Sequence, residues 1–179
     1  MRFLVEKNNI QNSEIQKIFI YQPARFAENF TAFPPATSVD TASSLRYLVG
    51  AFLFYREIGP KWYEDHKKLL KNRDFQELVK KIEILKDEGL QANFDEEKTV
   101  KGKVILETTD AHFEKEMRLE ELKGNPRNNP MSMEEIREKF FNLSERTIGA
   151  CRAQKFLELM DQDDYTMNIK DIVKLLTLE

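Results

Sequence analysis

The chain has 179 residues, of which 41% are hydrophobic and 33% charged, with a formal net charge of −3. Thirteen Phe and five Tyr supply enough apolar area for a core, which excludes a wholly disordered chain. Acidic and basic residues interleave, so the concentrated basic stripe that nucleic-acid binding needs is missing, and Lys67, Lys68, Lys71 and Arg73 read as a solvated helix face. One cysteine, Cys151, excludes an internal disulfide, and a reducing, cytoplasmic setting is expected. The start of the chain has too short an apolar run for a signal peptide, no segment has the length of a membrane span, and no membrane association is expected.

A first strand is expected over 14–21, where Ile15, Ile18, Phe19, Ile20 and Tyr21 suit a buried pleat and Pro23 closes it. An irregular stretch with Pro34 and Pro35 follows. Thr41, Ser43 or Ser44 then caps a helix whose Leu45, Leu48, Val49, Phe52 and Leu53 form the stripe of a core element, with Gly59-Pro60 as its stop. Pro60 opens a second helix that buries Trp62, Leu69 and Leu70, and Phe75, Leu78, Val79 and Ile82 mark a third. A strand over 82–85 stops at Asp87-Glu88-Gly89. Strands over 100–108 and 112–119 follow, joined by Thr109-Asp110-Ala111. In the second of these, Phe113, Met117 and Leu119 alternate with His112, Glu114, Glu116 and Arg118, as in a half-exposed antiparallel strand.

Residues 124–130 form a second irregular loop. Ser132 and Glu135 make a capping box for a helix carrying Met133, Ile136, Phe140 and Leu143. Two more helices present Ala153, Phe156, Leu157 and Met160, then Ile169, Ile172, Val173 and Leu176. The expected class is α+β: a small, mostly antiparallel sheet with helices on one face, followed by C-terminal helices. Residues 1–123 form the α+β part and 124–179 the helical extension.

No G-x-G phosphate loop occurs, and one Cys with two distant His does not make a zinc site. Asp161, Asp163 and Asp164 resemble the start of a calcium loop, but Thr166 and Ile172 stand where the glycine and the bidentate glutamate belong. They read as a loop whose carboxylates cap the next helix. Cys151 reads as a buried structural thiol, His66 as a partly buried packing residue and His112 as solvent-facing. The segment Ser43-Ser44-Leu45-Arg46-Tyr47 sets hydroxyls, a guanidinium and a phenol at a helix start. It is either an anion site in which Arg46 grips a carboxylate, or an ordinary cap with Tyr47 in the core.

Several of these segments occur in an order that resembles the second domain of the MmgE/PrpD family, which includes 2-methylcitrate dehydratase, cis-aconitate decarboxylase and iminodisuccinate epimerase. The matching features are Ile18-Phe19-Ile20, Ser44-Leu45-Arg46-Tyr47 opening an apolar helix, the glycine turn near Gly59, and the helix-to-strand segment over 75–85. The family's later loop and acidic helix are matched by Gly124, Pro126, Asn129, Pro130, Met131, Ser132, Lys139 and Phe140, with one extra residue in the loop. The family's Asp-Gly hairpin turn is Asp110-Ala111 here. The resemblance implies the lid of a two-domain lyase or isomerase that uses neither metal nor organic cofactor. Such an enzyme moves a proton next to a carboxylate of a di- or tricarboxylic acid, with dehydration, decarboxylation or epimerisation as the outcome.

Tyr47 matches the family's catalytic tyrosine position, and Ser44 and Arg46 are its expected substrate-binding neighbours. The family's Lys…Thr-His segment has no counterpart in residues 1–12. The expectation is therefore a lid inactive alone, partnered by a helical domain on a separate polypeptide or by a second copy. On the same resemblance, Phe156, Met160, Ile172 and Leu176 are expected to form an exposed apolar patch. The alternatives are a non-catalytic binding or assembly module, or the remnant of a truncated gene.

Overall fold

A six-residue helix, α1 (Arg2–Lys7), comes first, inserting Leu4 and Val5 into the core while Arg2 and Glu6 pair across one turn at 2.8 Å. Periodicity does not mark it, because fewer than two turns define no stripe. The structure, a computed structural model, describes residues 1–57, 59–161 and 168–177. The chain divides into two units, Met1–Leu122 and Lys123–Glu179.

In the first unit, β1 (Ile15–Pro23) runs through the middle of a four-stranded sheet of order β2-β1-β3-β4. A short helix, α2 (Ala24–Asn29), and a 3-10 turn (Asp40–Ser43) interrupt the stretch expected to be irregular. Helix α3 (Leu45–Tyr55) follows, then α4 (Lys61–Glu64), α5 (His66–Lys71) and α6 (Arg73–Lys80). The expected single helix after Pro60 is thus two, divided at Asp65. Asn72 caps α6 by accepting from the Phe75 N–H at 3.0 Å, and β2 (Ile82–Asp87) returns to the sheet. Asp87 ends the strand as expected, and it also opens the next element. Its carboxylate accepts from the Leu90 N–H at 2.9 Å and starts α7 (Glu88–Glu97), a helix the sequence reading lacks.

The hairpin of β3 (Lys101–Thr108) and β4 (His112–Arg118) completes the sheet. Along β4 burial alternates residue by residue as the polarity does, with His112 exposed and Phe113 half-buried. The sheet is mixed: β1 pairs with β3, and β3 with β4, antiparallel, whereas β1 pairs with β2 in parallel from Ile18↔Ile82 to Pro23↔Asp87. The parallel pair follows from the helical crossover α2 to α6, which carries the chain back to the end of the sheet at which β1 starts, so that β2 runs beside it in the same direction.

Register places Ile18 beside both Ile82 and Leu106, and all three are fully buried. Paired residues share a sheet face, so this row is the floor on which Tyr47 and Leu53 of α3 and Phe75, Leu78 and Val79 of α6 pack. The buried side of α3 differs from the expected stripe. Tyr47, Gly50, Ala51 and Leu53 are buried, while Leu45, Leu48, Val49 and Phe52 lie half-buried around them. Gly50 explains the rotation: a Cβ there would meet Val79 Cγ1 at 2.5 Å and Phe75 Cε2 at 3.1 Å, so α3 approaches α6 closely through its only glycine. The stop of α3 also differs. Arg56 adopts the left-handed conformation (φ 57°), and its guanidinium donates to the Ile10 carbonyl at 3.0 Å and to Asn12 Oδ1. The helix thus ends before Gly59-Pro60, the expected stop.

In the second unit, α8 (Met133–Ile148) carries the expected capping box, with Glu135 N–H donating to Ser132 Oγ at 3.2 Å and Ser132 N–H to Glu135 Oε2 at 2.7 Å. Helices α9 (Ala150–Met160) and α10 (Ile169–Leu176) follow. Phe140 and Phe156 stack at 4.7 Å, and Ala153 is the one fully buried helical side chain among the unit's described residues. Met160 and Leu176 of the expected patch are exposed, and Phe156 and Ile172 are half-buried. Cys151, expected to be buried, is exposed, because it lies on the side of α9 away from Ala153. Asp161 pairs with Arg137, Asp163 and Asp164 lie outside the described residues, and Asn168, not a carboxylate, caps α10. Among the described residues no helix is long and apolar enough to cross a membrane.

Candidate functional site

Ser44 occupies the N-cap position of α3 in an extended conformation, as its residue type favours. Its hydroxyl does not cap the helix. It donates instead to the Ala32 carbonyl at 2.6 Å, while the Leu45 N–H donates to the Phe30 carbonyl at 3.1 Å. These two bonds fasten the loop before α3 to the helix start. Arg46 is half-buried, with its guanidinium 5.7 Å from the centre of the Phe33 ring. Its Nε is buried without a hydrogen-bond partner, and no carboxylate pairs with the guanidinium among the described residues. Ser44, fully buried, and Arg46 thus engage neighbouring residues of one loop, Ala32 and Phe33. An unpaired cation of this kind is suited to a planar anion, since a guanidinium offers a carboxylate a fork of two donors.

Tyr47 points elsewhere. Its side chain is fully buried, its ring stands edge-on to Phe75 with centroids 5.5 Å apart, and its hydroxyl donates to the Trp62 carbonyl at 2.5 Å. Burial first, then the neighbouring Tyr55 and Asp65, pushes the phenol pKa well up. Such a phenol stays protonated at neutral pH and acts as a donor, not a base. The helix start therefore buries Ser44 and Tyr47 fully and leaves Arg46 half-buried, with Ser44 and Arg46 turned to the loop over 30–34 and Tyr47 to Phe75 and Trp62.

A second hydroxyl lies near Tyr47 and was not singled out from sequence. Tyr55, two turns along α3, donates to Asp65 Oδ2 at 3.2 Å, and its pKa is pushed up to about 12, first by burial and then by the Asp65 charge. Together Tyr47 and Tyr55 tie α3 to the α4–α5 segment. No local pattern marks the pair, because both partners lie ten or more residues away. His66 is buried as expected, with Nδ1 3.3 Å from the Tyr63 carbonyl and Nε2 without a partner. Among the described residues no group of three or more His, Cys, Asp or Glu could hold a metal ion.

A helix opened by Ser44-Leu45-Arg46-Tyr47 packs on a small mixed sheet, and a family model described as the MmgE/PrpD C-terminal domain matches residues 2–164. The chain belongs to the MmgE/PrpD family. The match runs from α1 past the end of α9, so the C-terminal domain of MmgE/PrpD proteins includes residues from both units described above. Comparison with curated proteins found no match.

Proposed function

We propose that this domain is the lid of an MmgE/PrpD-type enzyme that transfers a proton next to a carboxylate of a di- or tricarboxylic acid. The observation that carries the reading is Arg46, a half-buried guanidinium with an unpartnered Nε at the start of an eleven-residue helix. A carboxylate arriving at this half-buried guanidinium gains a charge-assisted, two-pronged contact. Ser44 serves by holding the loop over 30–34 against that helix start. Tyr47 is the proton-transfer candidate. With its raised pKa it acts as a general acid, and its hydroxyl must first leave the Trp62 carbonyl. The family's helical domain, wherever it is encoded, supplies the base. The lid by itself then performs no dehydration, decarboxylation or epimerisation, and no metal or cofactor enters the reaction.

One observation favours a second reading, a non-catalytic binding or assembly module. Ser44 and Tyr47 both direct their hydroxyls to backbone carbonyls within their own unit.

Activity of lid and helical domain together, on citrate-like acids, separates the two readings. In the enzyme, Arg46→Ala raises KM at least tenfold, and Tyr47→Phe lowers kcat on the order of a hundredfold, the range for losing one acid–base group. Tyr47→Phe also costs about 1–2 kcal/mol of stability, because the Trp62 carbonyl loses its donor. Folding is therefore measured alongside by denaturant titration. Full activity in both variants, with a properly folded lid, rejects the enzymatic role for this helix start.

A further inference from the structure

We infer that Phe33 is the positioning residue of the Arg46 site: its ring holds the guanidinium with both terminal nitrogens open, so that a carboxylate is taken end-on. The inference rests on the proposal that Arg46 binds a carboxylate, and it adds the residue that orients the binding group. A guanidinium can grip a carboxylate through its two Nη atoms or through Nε and one Nη. Here the Nε is buried without a partner, whereas neither Nη is buried and neither makes a hydrogen bond among the described residues. The side-on edge is therefore closed and the end-on edge is free.

No hydrogen bond fixes this guanidinium, so its orientation must come from packing. The Phe33 ring supplies it, with its centre 5.7 Å from Arg46 Cζ, inside the range of about 6 Å over which a ring face attracts a cation. Phe33 is itself held in place. It is half-buried against the core, and the residues before it are fastened to the helix that carries Arg46. Ser44 Oγ donates to the Ala32 carbonyl at 2.6 Å, and the Leu45 N–H donates to the Phe30 carbonyl at 3.1 Å. An aromatic ring suits this task better than a carboxylate would. It orients the guanidinium yet leaves the N–H donors and the charge available to an incoming anion. Arg46 then gives up little further side-chain freedom on binding. Phe33 acts through Arg46 and need not touch the ligand.

The Arg46 Nε–H proton–nitrogen signal, assigned by its loss in Arg46→Lys, reports the guanidinium directly in the full chain. The expected result is a sharp signal in the native chain. In Phe33→Leu, which keeps apolar bulk but removes the ring face, its exchange with water quickens about threefold or more. Phe33→Tyr, which keeps the face, leaves the exchange unchanged. Citrate is the probe for the site. Its addition shifts the signal saturably, and its binding weakens about threefold or more in Phe33→Leu but not in Phe33→Tyr. Equal exchange, or equal citrate affinity, in the native chain and a folded Phe33→Leu chain overturns the inference, as does a native signal already lost to fast exchange. If Phe33→Leu does not fold, pentafluorophenylalanine at position 33 takes its place, since fluorine reverses the charge of the ring face at nearly the same shape. Unchanged exchange there overturns the inference equally. Citrate that leaves the native signal unmoved rejects the carboxylate reading of Arg46 instead, and the exchange comparison still decides whether Phe33 holds the guanidinium.

Discussion

The two units of this domain are both built from amphipathic helices, yet among the described residues only the first shows an extended core. In Met1–Leu122, Ile15, Ile18, Tyr47, Leu53, Phe75, Ile82 and Leu106 are all fully or almost fully buried. In Lys123–Glu179, Met133, Ile136, Leu143, Met160, Ile169, Val173 and Leu176 are among the exposed large apolar residues, and Ala153 is the buried helical one among those described. The difference is the sheet. A sheet face offers several adjacent rows of side chains to a helix, so two helices and a sheet enclose a volume. Helices packed only on one another pair through ridges, as Phe140 and Phe156 do. Periodicity thus tells which residues share a face and says nothing of whether that face finds a partner.

The largest effect expected from this contrast is at Phe75, which is fully buried and touches the rings of Tyr47 and Phe54. Phe75→Ala should cost about 3–5 kcal/mol, whereas Leu143→Ala, at a site 46% exposed, should cost less than about 1 kcal/mol. Denaturant unfolding of the two variants measures both, and equal losses would break the comparison. Hydrogen exchange sharpens it: amides of β1 and α6 should be protected longer than those of α10.

A smaller loss, about 1–3 kcal/mol, is expected for Gly50→Ala, because the added methyl would stand 2.5 Å from Val79 Cγ1. Val79→Ala in the same chain should recover part of it by making room. Were Gly50→Ala neutral or stabilising, as helix propensity by itself would have it, the close approach of α3 and α6 would not be what sets the rotation of α3.

The smallest effect lies at alkaline pH. Tyr55 titrates at about 12 in the folded chain, against about 10 for an ordinary tyrosine. Its contribution to stability is therefore complete below about pH 10 and is lost as pH rises from there through 12. Ultraviolet titration of tyrosinate should show late-ionising phenols, Tyr47 and Tyr55 among them, with one fewer in Tyr55→Phe, and the variant's stability should fall less steeply over that range. An ordinary titration for every tyrosine would show that the Tyr55–Asp65 tie is absent in solution.

Much of the fold was legible because its determinants are local. The alternation of β4, the hairpin at Thr109-Asp110-Ala111 and the Ser132–Glu135 capping box each depend on residues within a few positions of one another. The family, too, was legible in the order of such segments. Helices α1, α2 and α7 were not: the first two are too short to show a period, and α7 starts at an Asp87-Glu88-Gly89 sequence whose turn-forming residues serve equally as a cap. At the site, sequence placed Ser44, Arg46 and Tyr47 at one helix start but could not say which way each side chain turns. α3 is apolar on nearly every side, so its own sequence defines no unique inward face. Tertiary packing chose one by bringing α6 against Gly50, and that choice sent Tyr47 to Phe75 and the Trp62 carbonyl while leaving Arg46 over Phe33. Helix propensity and capping act over one or two turns, whereas the direction of a buried side chain depends on which distant surface fills the space beside it.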